Sequence, residues 1–176
     1  MTWTDAPALE PGERVSGTKV EQIVDEITAR GLLAYAQRTS NSTGTTSIVG
    51  VLRLDDVTLR AGRAYRISTG NLRLTGGTSD GVTATLRATT DGSTPGTGST
   101  AIASASAQTT SSGIFENAQL DVIRRPTVDE VFSVLLCVAR TTGSAGNASI
   151  GGSAEYPIEI RIEDIGESVA DNGTDI

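Results

Sequence analysis

The stretch "EYPIEIRIEDIG", residues 155–166, alternates strictly. Tyr156, Ile158, Ile160 and Ile162 fall on one face and Glu155, Glu159, Arg161 and Glu163 on the other. Successive residues of an extended chain point to opposite sides, so this pattern predicts a β-strand with one apolar and one wet face. Pro157 has no amide hydrogen to give to a ladder and is expected at a strand start or an edge.

Working outward, "VTATLRAT" repeats the period, with Val82, Ala84, Leu86 and Ala88 against Thr83, Thr85, Arg87 and Thr89. "VFSVLLCVA", residues 131–139, is apolar on both faces and reads as a central strand covered on both sides. Another subunit is one candidate for a cover, which makes Phe132, Val134, Leu136 and Val138 the candidate subunit interface. Shorter strands fit "SIVGVLRL", "VTLR", "RAYRIS" and "NLRLT", with Gly62, Gly70 and the Gly76-Gly77 pair as turns. About eight or more strands at short intervals, with few helices among them, predict an all-β antiparallel sandwich or jelly roll. Residues 89–113, rich in Ser, Thr, Gly and Ala, are expected to form a long surface excursion.

Composition agrees. The 176 residues are 37% hydrophobic but only 3% aromatic, with 42 Ser plus Thr and 20 Gly, a turn-rich β mixture in one domain with an arm. No run of about 18 apolar residues would span a membrane and no secretion signal is recognisable, so a soluble chain made in a cytoplasm is expected. The single cysteine, Cys137, lies within the apolar strand and reads as a buried thiol.

The net charge is −7, and the cations are 13 Arg with one Lys, Lys19. Nucleic-acid binding through a basic face is therefore disfavoured. Residues 167–176 read as an acidic C-terminal tail; five acids (Glu163, Asp164, Glu167, Asp171 and Asp175) and no base follow residue 162, and the chain up to there is nearly neutral.

The chain contains no histidine, which removes Ser-His, Cys-His and His-ligated metal mechanisms. Asp55-Asp56 and Glu163-Asp164 are adjacent pairs, and neighbours on a strand diverge; solvated carboxylates are favoured over a calcium site there. "GSTPGTGS" lacks the lysine and the strand-to-helix context of a phosphate loop. No catalytic residue, cofactor or metal is expected.

Ahead of the strands, residues 1–17 have no period and read as an extended arm carrying Trp3, a large apolar group that seeks a pocket. "TKVEQIVDEITARG", residues 18–31, predicts a short α-helix. Thr18 and Glu21 are spaced as a capping box, Gly31 supplies the stop, and Val20, Ile23, Val24 and Ile27 line one stripe. A helix of about 12 residues is marginal alone, so its stripe must dock. The expected domains are an attachment arm and helix at 1–31, a β-sandwich body at 32–166 and a tail at 167–176.

The opening segment, with Trp3, Gly12-Glu13, Val15-Ser16 and the helix from Thr18, resembles the N-terminal arm of structural proteins of tailed phages of actinobacteria. "LRAGRAYRI", "LRATTDGSTP", "FSVLLCVARTTG" and "YPIEIRIEDIG" look like the β-domain of such virion proteins, itself similar to trimeric jelly rolls of the tumour-necrosis-factor and C1q type. The resemblance implies a non-enzymatic virion protein assembled in the host cytoplasm. A head-surface decoration homotrimer is favoured, with Trp3, Val20, Ile23, Val24 and Ile27 contacting the major capsid protein or another virion protein. A minor tail or tail-fibre protein recognising a host surface is the alternative.

Overall fold

The order of strand pairing fixes the architecture. In the computed structural model, residues 31–144 and 146–168 are described. Their strands are β1 (Gly31–Arg38), β2 (Val49–Leu59), β3 (Arg63–Thr69), β4 (Leu72–Thr75), β5 (Gly81–Thr89), β6 (Thr100–Gln108), β7 (Glu116–Ala118), β8 (Asp121–Arg124), β9 (Glu130–Thr142), β10 (Ser149–Gly151) and β11 (Ile158–Glu167). All of their ladders are antiparallel, and five are nested about one midpoint: β5 with β6, β4 with β7, β3 with β8, β2 with β9, and β1 with β11. The chain is thus one long antiparallel ribbon folded over on itself, the winding that defines a jelly roll. Rolling that ribbon up adds the β11–β3 and β9–β5 ladders and yields two four-stranded sheets, β1-β11-β3-β8 and β2-β9-β5-β6. A small third sheet, β10-β4-β7, extends the body at one end.

Sequence alternation decides which side chains go between the sheets. Ile158, Ile160 and Ile162 of β11 meet Tyr65 and Ile67 of β3 from the first sheet, and Leu59, Leu86, Phe132, Val134, Leu136 and Val138 from the second, in one continuous core. Leu72, Leu74 and Ile150 of the third sheet close its end. Tyr156 departs from the expected alternation: β11 begins at Ile158, after Pro157, and Tyr156 sits exposed in the preceding loop. The low-complexity stretch also differs from its expected character as one long excursion. Its second half is β6, the edge strand paired along β5, where Ala103, Ala105 and Ala107 turn inward between outward Ser104 and Ser106. "SIVGVLRL" and "VTLR" merge into β2 across a bulge between Leu54 and Val57, where Asp56 takes a positive φ of 58°. No helix occurs among the described residues, and the expected helix at 18–31 lies outside them apart from Gly31, the first residue of β1.

The two poles of the body are distinct. At one, Gly31 pairs with Asp164, and the Ser168 amide donates to the Gly62 carbonyl at 2.8 Å. The Gly62 amide in turn donates to Pro126 at 3.1 Å, so Gly31 and Ser168 lie at the same pole. The same pole holds a buried ion pair. Arg63 donates through Nε and Nη2 to Asp164 at 2.7 and 2.8 Å, and the Gly166 amide donates to the same carboxylate at 2.9 Å. Those side chains are only 5% and 7% exposed, so the bidentate geometry must offset the desolvation of both charges. Arg66 and Asp121 also pair, but on the wet face of the first sheet. Asp164→Ala should therefore cost about 3 kcal/mol or more, because it leaves the Arg63 cation buried without that carboxylate. Asp121→Ala should leave the urea midpoint nearly unchanged. Equal midpoints for the two variants would refute this ranking.

Candidate binding surfaces

Strand β9 is central, between β2 and β5, and both of its faces are covered by its own chain. Phe132, Val134, Leu136 and Val138 are 1% exposed or less and point into the core, so they are not a subunit interface. The reason is the parity of the strand: the alternate set, Val131, Ser133, Leu135, Cys137 and Ala139, faces outward. That set is also largely covered. The Ser133 hydroxyl accepts the Asp56 amide at 3.0 Å, and Leu135 leans over Gly50, where an added Cβ would stand 3.1 Å from its Cδ1. Cys137 lies below them, fully buried, and burial pushes its thiol up from the ordinary range, with Arg87 pulling weakly the other way.

The outer face of the first sheet is open and mixed in charge. One row across it reads Leu32, Glu163, Arg66 and Ile123; the next reads Tyr35, Arg161, Ser68 and Asp121. Leu32, Tyr35 and Ile123 are exposed, and the Tyr35 hydroxyl bridges Gln37 and Glu159 at 2.9 and 2.8 Å. Both signs of charge and several apolar groups thus share one flat surface.

A cleft of about 500 Å³ opens near the pole where the chain enters and leaves, between the 90–99 loop, the start of β6, Arg124 and Phe132. Its loop is tied down by a tight turn, in which the Ser93 hydroxyl and amide both donate to Asp91 at 2.6 and 3.0 Å. Those bonds hold the Asp91 carboxyl below its ordinary range, the hydroxyl first and the amide second. Arg124 is engaged bidentately by Glu130 at 2.8 and 2.7 Å. The lining is rich in hydroxyls, from Thr89, Thr90, Ser93, Ser99 and Thr100. The sequence signal for its turn is Asp91-Gly92-Ser93, inside the stretch expected to form a surface excursion.

The two acidic pairs diverge. Asp55 accepts from Arg53 at 2.6 Å while Asp56 stands in the bulge, and Asp164 is buried against Arg63 while Glu163 lies on the outer face. Among the described residues no three His, Cys, Asp or Glu side chains converge as a metal ion would require. Trp3, Val20, Ile23, Val24 and Ile27 lie outside the described residues.

No protein-family model matches the sequence, and no curated protein matches it. Among solved structures, the chain is similar to the CBM22-1-GH10 modules of the Clostridium thermocellum endo-1,4-beta-D-xylanase 10B complexed with xylohexaose. The TM-score is 0.42 at 11% identity, over 82% of this chain and 28% of that one. It is also similar to Eiger TNF from S. frugiperda, with a TM-score of 0.36 at 12% identity over 84% and 99% of the two chains. For the VP2 protein of infectious bursal disease virus the TM-score is 0.34 at 12% identity, over 77% of this chain and 35% of that one. The jelly roll is defined by the nested pairing itself, and none of these proteins lends its ligand or assembly to this chain.

The chemistry of the titratable groups predicts the pH response. Asp91 is held low by Ser93, and Asp129 by the Ala61 amide first and by Arg60 second. A carboxyl lowered in the folded chain stabilises the fold above its unfolded value, about 3.9, and loses that contribution as pH falls through the lower folded value. With no histidine in the sequence and Cys137 pushed up, the melting temperature should stay nearly level between about pH 6 and 8 and decline below about pH 4. A midpoint that moves steeply near neutrality would contradict this. In parallel, Cys137 should resist thiol reagents in the native protein and label rapidly in urea; fast native labelling would show that β9 is not covered as described.

Proposed function

We propose that the chain is a non-enzymatic structural protein of a tailed-phage virion, most consistent with a head-surface decoration protein. In this reading the jelly roll is the displayed body and residues 1–31 attach it to the capsid. The observation that carries it is the completeness of the winding. Among the described residues the nested strands run from Gly31 to Glu167, and their core draws on all three sheets together with Leu120 and Ala148 between strands. In this reading the amphipathic stripe at Val20, Ile23, Val24 and Ile27 serves attachment, along with Trp3. Two further features support binding over turnover: the chain lacks histidine, and the carboxylates of its adjacent acidic pairs diverge.

The proposal includes a homotrimer. Since the inward face of β9 belongs to the core, the surface offered to a second copy is the outer face of the first sheet. Its alternating Arg and Glu/Asp side chains complement a copy of themselves around Leu32, Tyr35 and Ile123. Sedimentation at micromolar concentration should give a trimer mass, and a monomer would remove this part of the reading.

Attachment is tested with Ile23→Asp combined with Ile27→Asp. The free double variant should melt like the parent, while its retention on virions lacking the protein should collapse. Placing two unpaired carboxylates against an apolar site costs several kcal/mol, and about 1.4 kcal/mol is tenfold in affinity. Normal retention of a normally folded variant refutes attachment through the stripe; a marked fall in melting temperature assigns the stripe to the chain's own core. Copies per virion separate the head-surface reading, which requires many, from a tail protein, present in few.

A further inference from the structure

The outward face of the small sheet carries a constellation that the proposed attachment does not use. On β4, Arg73 lies between Gly151 of β10 and Asn117 of β7. Its guanidinium carbon stands 4.0 Å from the centroid of the Phe115 ring and 5.1 Å from that of Tyr156. The core takes Phe132 and Tyr65, so in a chain of 3% aromatics two of the few remaining rings converge on one arginine. Three local features build this arrangement. Gly151 makes room for Phe115, since an added Cβ would come within 2.5 Å of its Cε1. A small turn holds Tyr156: its amide donates to the Ser153 hydroxyl and the Ser153 amide to its carbonyl, both at 3.0 Å. Asn71 donates to Asn117 at 3.2 Å, which fixes an amide pair beside the cation.

Arg73 is half-buried, and among the described residues no carboxylate pairs with it. A guanidinium steadied by rings keeps its N–H edge for a ligand, and its planar fork matches a carboxylate bidentately. The Tyr156 ring, 53% exposed, offers an apolar platform, and the exposed Asn71-Asn117 pair offers donors and acceptors suited to adjacent hydroxyls. We propose that Arg73, Phe115, Tyr156, Asn71 and Asn117 form a binding site for an acidic saccharide, with the sugar carboxylate on Arg73 and the ring of the sugar against Tyr156.

Location supports presentation. The site lies toward the pole where Arg38 pairs with Ile158 and the Gly152 amide donates to Asn41, opposite the pole that holds Gly31 and Ser168. A body held by its leading segment would face this surface outward, although the site itself does not depend on how or where the chain is attached.

The test uses the full chain and a galacturonate hexasaccharide, titrated calorimetrically beside its methyl-esterified form and a glutamate hexapeptide. The acid saccharide should bind saturably, with the ester and the peptide each at least about tenfold weaker, and affinity should fall with added salt. Arg73→Gln should weaken binding at least about tenfold and Tyr156→Ala several-fold, while Arg53→Gln, on the exposed side of β2, should bind as the parent does. Melting temperatures establish that each variant is folded; if Arg73→Gln is not, the exposed Tyr156→Ala carries the test. No saturable binding by the parent, equal binding of ester or peptide, or parental affinity in a folded Arg73→Gln or Tyr156→Ala variant would each overturn the proposal.

Discussion

The fold depends on β11 entering the slot between β1 and β3. Its Ile158, Ile160 and Ile162 supply the first sheet's centre, and its Asp164 closes the buried pair with Arg63. Until the last strand arrives, β1 has no partner in its sheet and the apolar sides of β3 and β9 lack part of their cover. Gly31 meets Asp164 across almost the whole described chain, so the loop-closure entropy is large and the contact is won late. The design is cooperative for that reason: the nested inner ladders are more local, and the outermost one makes them a closed body.

With few aromatic side chains, the interior is filled mainly by Val, Ile, Leu and Ala, alternating with hydroxyl residues on the wet faces. Such a core is built from many small contributions rather than a few large anchors. It also explains why so many Ser and Thr occur without forming a reactive centre. Thr83 with Ser106 and Thr85 with Ser104 are cross-strand hydroxyl pairs on the outward side of β5 and β6, where they bond to one another.

Strong periodicity made much of this readable. The alternation at Ile158, Ile160 and Ile162 located β11, the doubly apolar run located the central β9, and Pro157 marked a strand start. Three kinds of feature were not legible. Small side chains concealed β6, because Ala and Ser alternate with little hydropathy contrast and resemble a loop. Parity within β9 could not be chosen from a run apolar on both faces, and so its core-facing residues were assigned to an interface. The Arg73 constellation escaped for a third reason: its parts come from two strands, β4 and β7, and from Asn71, Phe115 and Tyr156 outside the strands, far apart in sequence. Only the register of β10, β4 and β7 brings them together.

The placement of Gly31 and Ser168 at one pole has a mechanical meaning. Pulling the leading and trailing segments apart loads the β1–β11 ladder at its end, so its hydrogen bonds break one after another, as in a zipper. A load between the leading segment and the opposite pole instead runs along the strands and stretches many bonds at once. The same body is therefore compliant to one direction of force and stiff to the other, and a tether through one terminal segment alone uses the stiff direction.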